Sequence, residues 1–113
     1  MAKGAAILTF TIDASIEKEF NEWYNEYVKR MLKTVPQFES VTRYVSEEGG
    51  KKYCSYYVLS DVSKIEEAKA NIYGADRKPD SDMWKEWVRQ GITDEYWEFF
   101  NTMFTVTQDD ISD

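Results

Sequence analysis

From Ala5 to Ile12, Ala6, Leu8, Phe10 and Ile12 alternate with Ile7, Thr9 and Thr11, the two-residue period of a strand. Its second face is only weakly polar. The period then changes: Ile16, Phe20, Trp23, Tyr24, Tyr27, Met31 and Leu32 recur at helical spacing, placing the aromatics on the side that meets a sheet. Asp13 or Ser15 can cap this helix, and Glu17 and Glu19 suit its positive end. Lys29, Arg30 and Lys33 suit its last turns. Pro36 stops it, because the residue before a proline avoids the α region.

Phe38–Val45 and Tyr53–Leu59 read as a second and third strand, joined by a hairpin turn across Glu47-Glu48-Gly49-Gly50-Lys51. Ser63-Lys64-Ile65-Glu66 has the form of a capping box opening a short helix, with Ile65, Ala68 and Ile72 inward and Gly74 as its stop. Residues 75–82 read as a polar, proline-containing loop. Met83–Gln90 reads as a further helical turn or two, ended by Gly91. In Trp97–Thr107 the second half is expected to be a strand, while the first residues can still be helical. The order β-α-β-β-α-(α)-β predicts an α+β, ferredoxin-like βαββαβ fold with an antiparallel four-stranded sheet. Residues 1–108 are expected to form a single domain and 109–113 an acidic tail.

Helices cover only one face of such a sheet. Several strands nevertheless carry apolar residues on both faces: Val41 with Tyr44, Tyr56 with Tyr57, Phe99 with Phe104. An uncovered second face would be a large apolar patch. A second copy packed sheet to sheet removes it, so a homodimer is expected.

Composition narrows the function. Four Trp, eight Tyr and six Phe in 113 residues supply bulky packing material that disordered chains lack. A net charge of −7 repels phosphate, which argues against nucleic acid and anionic membrane as partners. There is no His and one Cys. An internal disulfide is therefore impossible, which fits a reducing, cytoplasmic setting. Zinc, copper and haem lose their commonest protein ligand, and no metal or organic cofactor is expected. Triads built on His are excluded. No signal peptide or membrane span is visible in the sequence.

Trp23-Tyr24-Asn25-Glu26, followed by Val35-Pro36-Gln37-Phe38, resembles the dimeric α/β-barrel superfamily, in particular its EthD-like branch. In that branch a Trp-Tyr-Asn/Asp-Glu helix leads into a Val-Pro-Gly-Phe turn. The superfamily includes polyketide cyclases, muconolactone isomerase and small monooxygenases. The resemblance implies a dimer with a small-molecule pocket between sheet and helices, and no particular reaction. Val28 stands where the branch often has a His, so a His-dependent mechanism does not carry over, and Gln37 replaces the turn glycine.

The residues themselves suggest a cavity between the sheet and the first helix. Its walls are expected from among Trp23, Tyr24, Tyr27, Tyr56, Phe100 and Phe104, with Trp84 or Trp87 as a lid. Each of these aromatics also has a reading as plain core. A tyrosine hydroxyl, protonated at neutral pH, can donate to a carbonyl or enolate oxygen. Arg43 either pairs with surface carboxylates or, turned inward, clamps a carboxylate or phenolate. Asn101 and Thr102 either bond neighbouring backbone or orient a ligand. Cys54 reads as an inert buried thiol. The clusters Glu47-Glu48, Glu66-Glu67 and Asp109-Asp110 read as solvated surface. Two functions fit: a metal-free acid/base enzyme (cyclase, isomerase or cofactor-free monooxygenase) acting on a small, largely apolar or aromatic metabolite, and a non-catalytic binding or accessory dimer.

Overall fold

The computed structural model describes residues 2–111. Strand β1 (Gly4–Ile12) leads into helix α1 (Glu17–Thr34), then strands β2 (Phe38–Val45) and β3 (Lys52–Leu59). Helices α2 (Ile65–Ile72) and α3 (Lys78–Gln90) and strand β4 (Ile92–Asn101) follow. The strands form one antiparallel sheet in the order β2-β3-β1-β4. This is the α+β ferredoxin-like arrangement that the element order predicts.

The β1 residues with even numbers make the floor of the core. Ala6, Leu8, Phe10 and Ile12 are buried, and register brings Ser55 and Trp97 beside Leu8, and Tyr57 and Phe99 beside Ala6. Helix α1 closes over this floor with Phe20, Tyr24, Tyr27, Val28 and Met31. Phe10 meets Phe20 and Tyr24 edge-on at 5.5 and 5.6 Å, a favoured geometry for aromatic pairs. Val28, the residue at which the resemblance suggests a His, is core. Helix α1 ends at Thr34, and the Val35 N–H returns to the Met31 carbonyl at 2.8 Å.

Four local expectations differ from the structure. Helix α1 has no side-chain cap. Asp13 instead accepts bonds from the N–H and hydroxyl of Ser15, at 2.9 and 2.6 Å, and closes a turn before the helix. Ser63 is not a cap either: Asp61 accepts from its N–H and hydroxyl, starting a 3-10 turn (Val62–Lys64) that runs into α2. Helix α3 begins at Lys78, well inside the expected loop, because Pro79 falls in its first turn. There a missing N–H costs nothing. Finally, β4 ends at Asn101, where a strand had been expected further on, and residues 102–107 have no regular structure. The left-handed Asp94 (φ 55°) and a register shift between Thr9 and Thr11 obscure the strand's beginning.

The other sheet face bears no helix. Ile7, Thr9, Tyr44, Tyr56, Tyr96 and Phe100 lie on it, and all four of these aromatic side chains are exposed. Beyond β4 the chain carries Met103, 99% exposed, and Phe104. Gln108–Ile111 form a 3-10 turn, while Ser112 and Asp113 of the acidic tail lie outside the described residues. Among the described residues, no helix is long and apolar enough to cross a membrane.

Candidate functional site

The helix-covered side holds a cavity of about 550 Å³. Leu8, Tyr57 and Trp97 rise into it from three adjacent strands, Tyr27 and Met31 descend from α1, and Ile72, Tyr73 and Gly74 close one end. Helix α3 supplies the remaining wall. Lys78, Ser81, Asp82 and Lys85 recur three and four residues apart, so one stripe of the helix faces the cavity. Trp84 joins this wall and packs against Phe10 and Phe20 behind it, at 5.5 and 5.8 Å. Its indole N–H donates to Glu95 Oε2 at 2.8 Å, which fixes the ring and brings a carboxylate to the rim.

Behind the cavity runs a chain of hydroxyls. The Tyr24 and Ser55 hydroxyls are 2.9 Å apart, and Tyr24 also lies 3.4 Å from the Tyr57 hydroxyl. Burial pushes the Tyr24 and Tyr57 hydroxyls above their ordinary pKa, and the Tyr27 hydroxyl likewise, with the neighbouring Tyr24 adding to the effect. These groups are proton donors at neutral pH and poor bases.

Arg77 is the charged residue buried most completely in this region, at 1% exposure. Its Nη1 donates to Asp80 Oδ2 at 3.1 Å, and its guanidinium sits 4.9 Å from the centre of the Tyr27 ring. Arg30 holds the same carboxylate from the other side, with Nε 3.0 Å from each oxygen. Among the described residues, no cluster of Cys, Asp and Glu is arranged to hold a metal ion.

The residues singled out from sequence fall in four places. Tyr27 and Trp84 are in the cavity wall. Trp23, Tyr24 and Trp87 belong to the aromatic packing behind it, where Tyr24 and Trp87 are buried and Trp23 is half-buried. Arg43 does turn toward the helices. It lies over the Tyr24 ring at 4.6 Å and donates to Asn25 and Asn21 at 2.9 and 2.7 Å, a polar cluster separate from the cavity. Tyr56, Phe100, Asn101 and Phe104 are across the sheet, lining a shallower depression of about 500 Å³ with Ala5, Ile7 and Met103. The expected wall is thus divided between the two faces. Sequence reading missed Arg77, Glu95 and Trp97. Extending the α3 spacing backwards from Trp84 would have reached Arg77, seven residues earlier.

No protein-family model matches this sequence, and no curated protein matches it significantly. Solved structures do resemble it. The cofactor-independent oxygenase SnoaB from Streptomyces nogalater superposes with a TM-score of 0.72 at 15% identity, over 96% of this chain and 100% of that one. A candidate antibiotic biosynthesis monooxygenase from Nitrosomonas europaea gives 0.68 at 9% identity, over 94% and 95%. A conserved protein from Methanosarcina mazei Go1 gives 0.69 at 11% identity, over 91% and 95%. At these identities the likeness is one of fold: the chain has the ferredoxin-like α/β architecture of these small proteins.

Proposed function

We propose that this chain is a homodimeric small-molecule-binding protein of the dimeric α/β-barrel type, with a flat, largely apolar ligand held between α1, α3 and the sheet. The observation that carries this reading is the cavity itself. Its volume lies within the span of about 300–1,000 Å³ usual for ligand sites. Its walls are mostly apolar and aromatic, with polar groups concentrated on α3 and at the start of β4. The fold shared with SnoaB extends the reading to cofactor-free oxygenation of that ligand. In such a reaction Tyr27 or Tyr57 donates a hydrogen bond to a ligand oxygen, and Glu95 at the rim accepts a ligand proton.

A second reading, binding without chemistry, draws support from how the acidic groups are engaged. Asp82 is paired with Lys78 at 2.8 Å, Asp80 with two arginines, and Glu95 with the Trp84 indole. The proposed dimer rests on the uncovered sheet face, where Ile7, Tyr56, Tyr96 and Phe100 would otherwise meet water. An EthD-like placement within the superfamily rests only on Trp23–Glu26 and Val35–Phe38. Their buried members, Tyr24, Val35 and Phe38, have packing roles.

Filling the cavity tests the site. Ile72→Trp adds bulk at one end of the wall and should abolish binding of naphthols and hydroxyquinones, followed by calorimetry, while leaving the circular dichroism spectrum intact. Undiminished binding in that variant would place the ligand elsewhere. Oxygen consumption with the same panel, without added metal or flavin, separates the two readings: ligands that bind but never consume oxygen favour the non-catalytic one. Sedimentation equilibrium tests the dimer, and a wild-type monomer at micromolar concentration would refute it.

A further inference from the structure

The polar side of the cavity holds a positive charge that its neighbours balance only in part. Arg77, almost wholly buried, donates to Asp80 Oδ2, and the Tyr27 hydroxyl is its other hydrogen-bonding neighbour among the described residues. Its Nε is buried and has no hydrogen-bond partner among the described residues. A guanidinium offers five N–H donors, so part of its capacity is unmet among the described residues.

Asp80, moreover, is shared. Arg30 donates to both its oxygens and places Nη2 2.9 Å from Oδ1. One carboxylate therefore answers two guanidiniums, and the half-exposed Arg30 makes the fuller set of contacts with it. Asp80 also lies in the first turn of α3, where the positive end of the helix draws on the same negative charge. Around the cavity wall, Arg77, Lys78 and Lys85 face only two carboxylates, Asp82 and Glu95. Asp82 is committed to Lys78. In a chain of net charge −7, a wall with more cations than anions runs against the composition.

Burying an under-compensated arginine is unfavourable unless something completes its pairing. We infer that Arg77 is an anion subsite: the ligand of this cavity is a planar aromatic carrying a carboxylate or phenolate oxygen that pairs with the Arg77 guanidinium, its rings lying against Trp84 and Trp97. Arginine suits such a partner, since its planar fork matches a carboxylate and carries a full charge at any physiological pH. The phenolic protons of Tyr27 and Tyr57, on the same wall, add donors and no competing negative charge. This inference rests on the proposed ligand cavity and specifies what that cavity selects.

The test uses two probes of nearly equal shape, 2-naphthoate and its neutral counterpart 2-naphthamide. Their affinities are measured by calorimetry, and their location by the indole N–H resonances of Trp84 and Trp97. Wild-type protein should bind naphthoate at least about tenfold more tightly than naphthamide, the gain of one charge-assisted pair. Both probes should shift the two indole resonances. Arg77→Met should erase the preference and retain naphthamide binding, and if that variant does not fold, Arg77→Gln makes the same comparison. Equal affinities at the cavity overturn the anion subsite and leave the cavity reading standing. A preference that survives removal of Arg77 also overturns the subsite, by assigning the charge to Lys78 or Lys85. If neither probe moves Trp84 or Trp97, the cavity reading falls and the subsite falls with it.

Discussion

Replacing Tyr24 with Phe removes one oxygen atom and separates a structural role for the α1 aromatics from a ligand-binding one. The ring would stay where it is, stacked on Tyr27 at 5.0 Å and on Phe20 at 5.3 Å, beneath the Arg43 guanidinium. What goes is the 2.9 Å bond to Ser55 and the long 3.4 Å contact with Tyr57. A net hydrogen bond contributes about 1 kcal/mol, and a stranded buried hydroxyl costs about 1–3 kcal/mol. Ser55 has no exposed surface, so water cannot replace the lost partner. We expect Tyr24→Phe to destabilise the protein by about 1–2 kcal/mol, and a domain of this size then melts roughly 4–8 °C lower. Ser55→Ala should show partly the same loss, and the double variant should cost less than the sum, as interacting pairs do. Because Tyr24 lies behind the cavity wall, ligand affinity should not change. The assay is thermal unfolding beside calorimetric binding. Unchanged stability with lost binding would refute this account and return Tyr24 to the site.

Other perturbations follow from the same packing. In Gly91→Ala, the new Cβ would stand 2.8 Å from Asp13 Cβ and 3.2 Å from Ile16 Cδ1, where α3, β1 and α1 meet. We expect a loss of about 1–3 kcal/mol in urea unfolding, as for overpacked cores; wild-type stability would contradict it. Tyr24, Tyr27 and Tyr57 have pKa values raised above the ordinary 10.0 by burial. Their contribution to stability is complete below pH 10 and is lost above it, as the unfolded chain ionises first. Tyrosinate absorbance from these three should accordingly appear only together with unfolding; their ionisation with the fold intact would be contrary evidence. On the acid side, the Tyr53 hydroxyl and then Lys51 hold Glu17 below its ordinary 4.5. That contribution is present above 4.5 and disappears as pH falls below it, so Glu17→Gln should flatten the acid limb of a stability profile.

The fold was legible because its signals are periodic and local. The alternation in β1, the aromatic stripe of α1 and the stop at Pro36 each determine an element without help from distant residues. Where reading failed, the local signal had a second meaning. Pro79 can mark a loop or open a helix, and only the packing of α3 through Trp84 and Trp87 against Phe10 and Phe20 decides between them. Ser63 fits a capping box, but Asp61, two residues earlier, takes the role by accepting both Ser63 donors. In β4, the register shift opposite Thr9 and Thr11 and the left-handed Asp94 interrupt the alternation that identifies a strand.

The candidate site was legible only in its apolar half. Bulky aromatics announce a core in sequence, but nothing in their spacing tells which side of the sheet each will meet. Register does that: Tyr57 opposes Ala6, while Tyr56 opposes Ile7, so adjacent tyrosines end up in different environments. Polar residues are harder still. Asp76, Arg77, Lys78, Asp80 and Asp82 form a charge-rich run that reads as uniform solvated surface. A 3-10 turn (Ala75–Arg77) leading into α3 rotates one of them inward, leaving Lys78 and Asp82 exposed and Asp80 held between two arginines. The buried charge is therefore a product of the turn and the helix together: the spacing from Trp84 reaches Arg77, but only once the helix is known to begin at Lys78 and not at Met83. The partial pairing of Arg77 emerges only once Arg30, on another helix, is seen to compete for the same carboxylate.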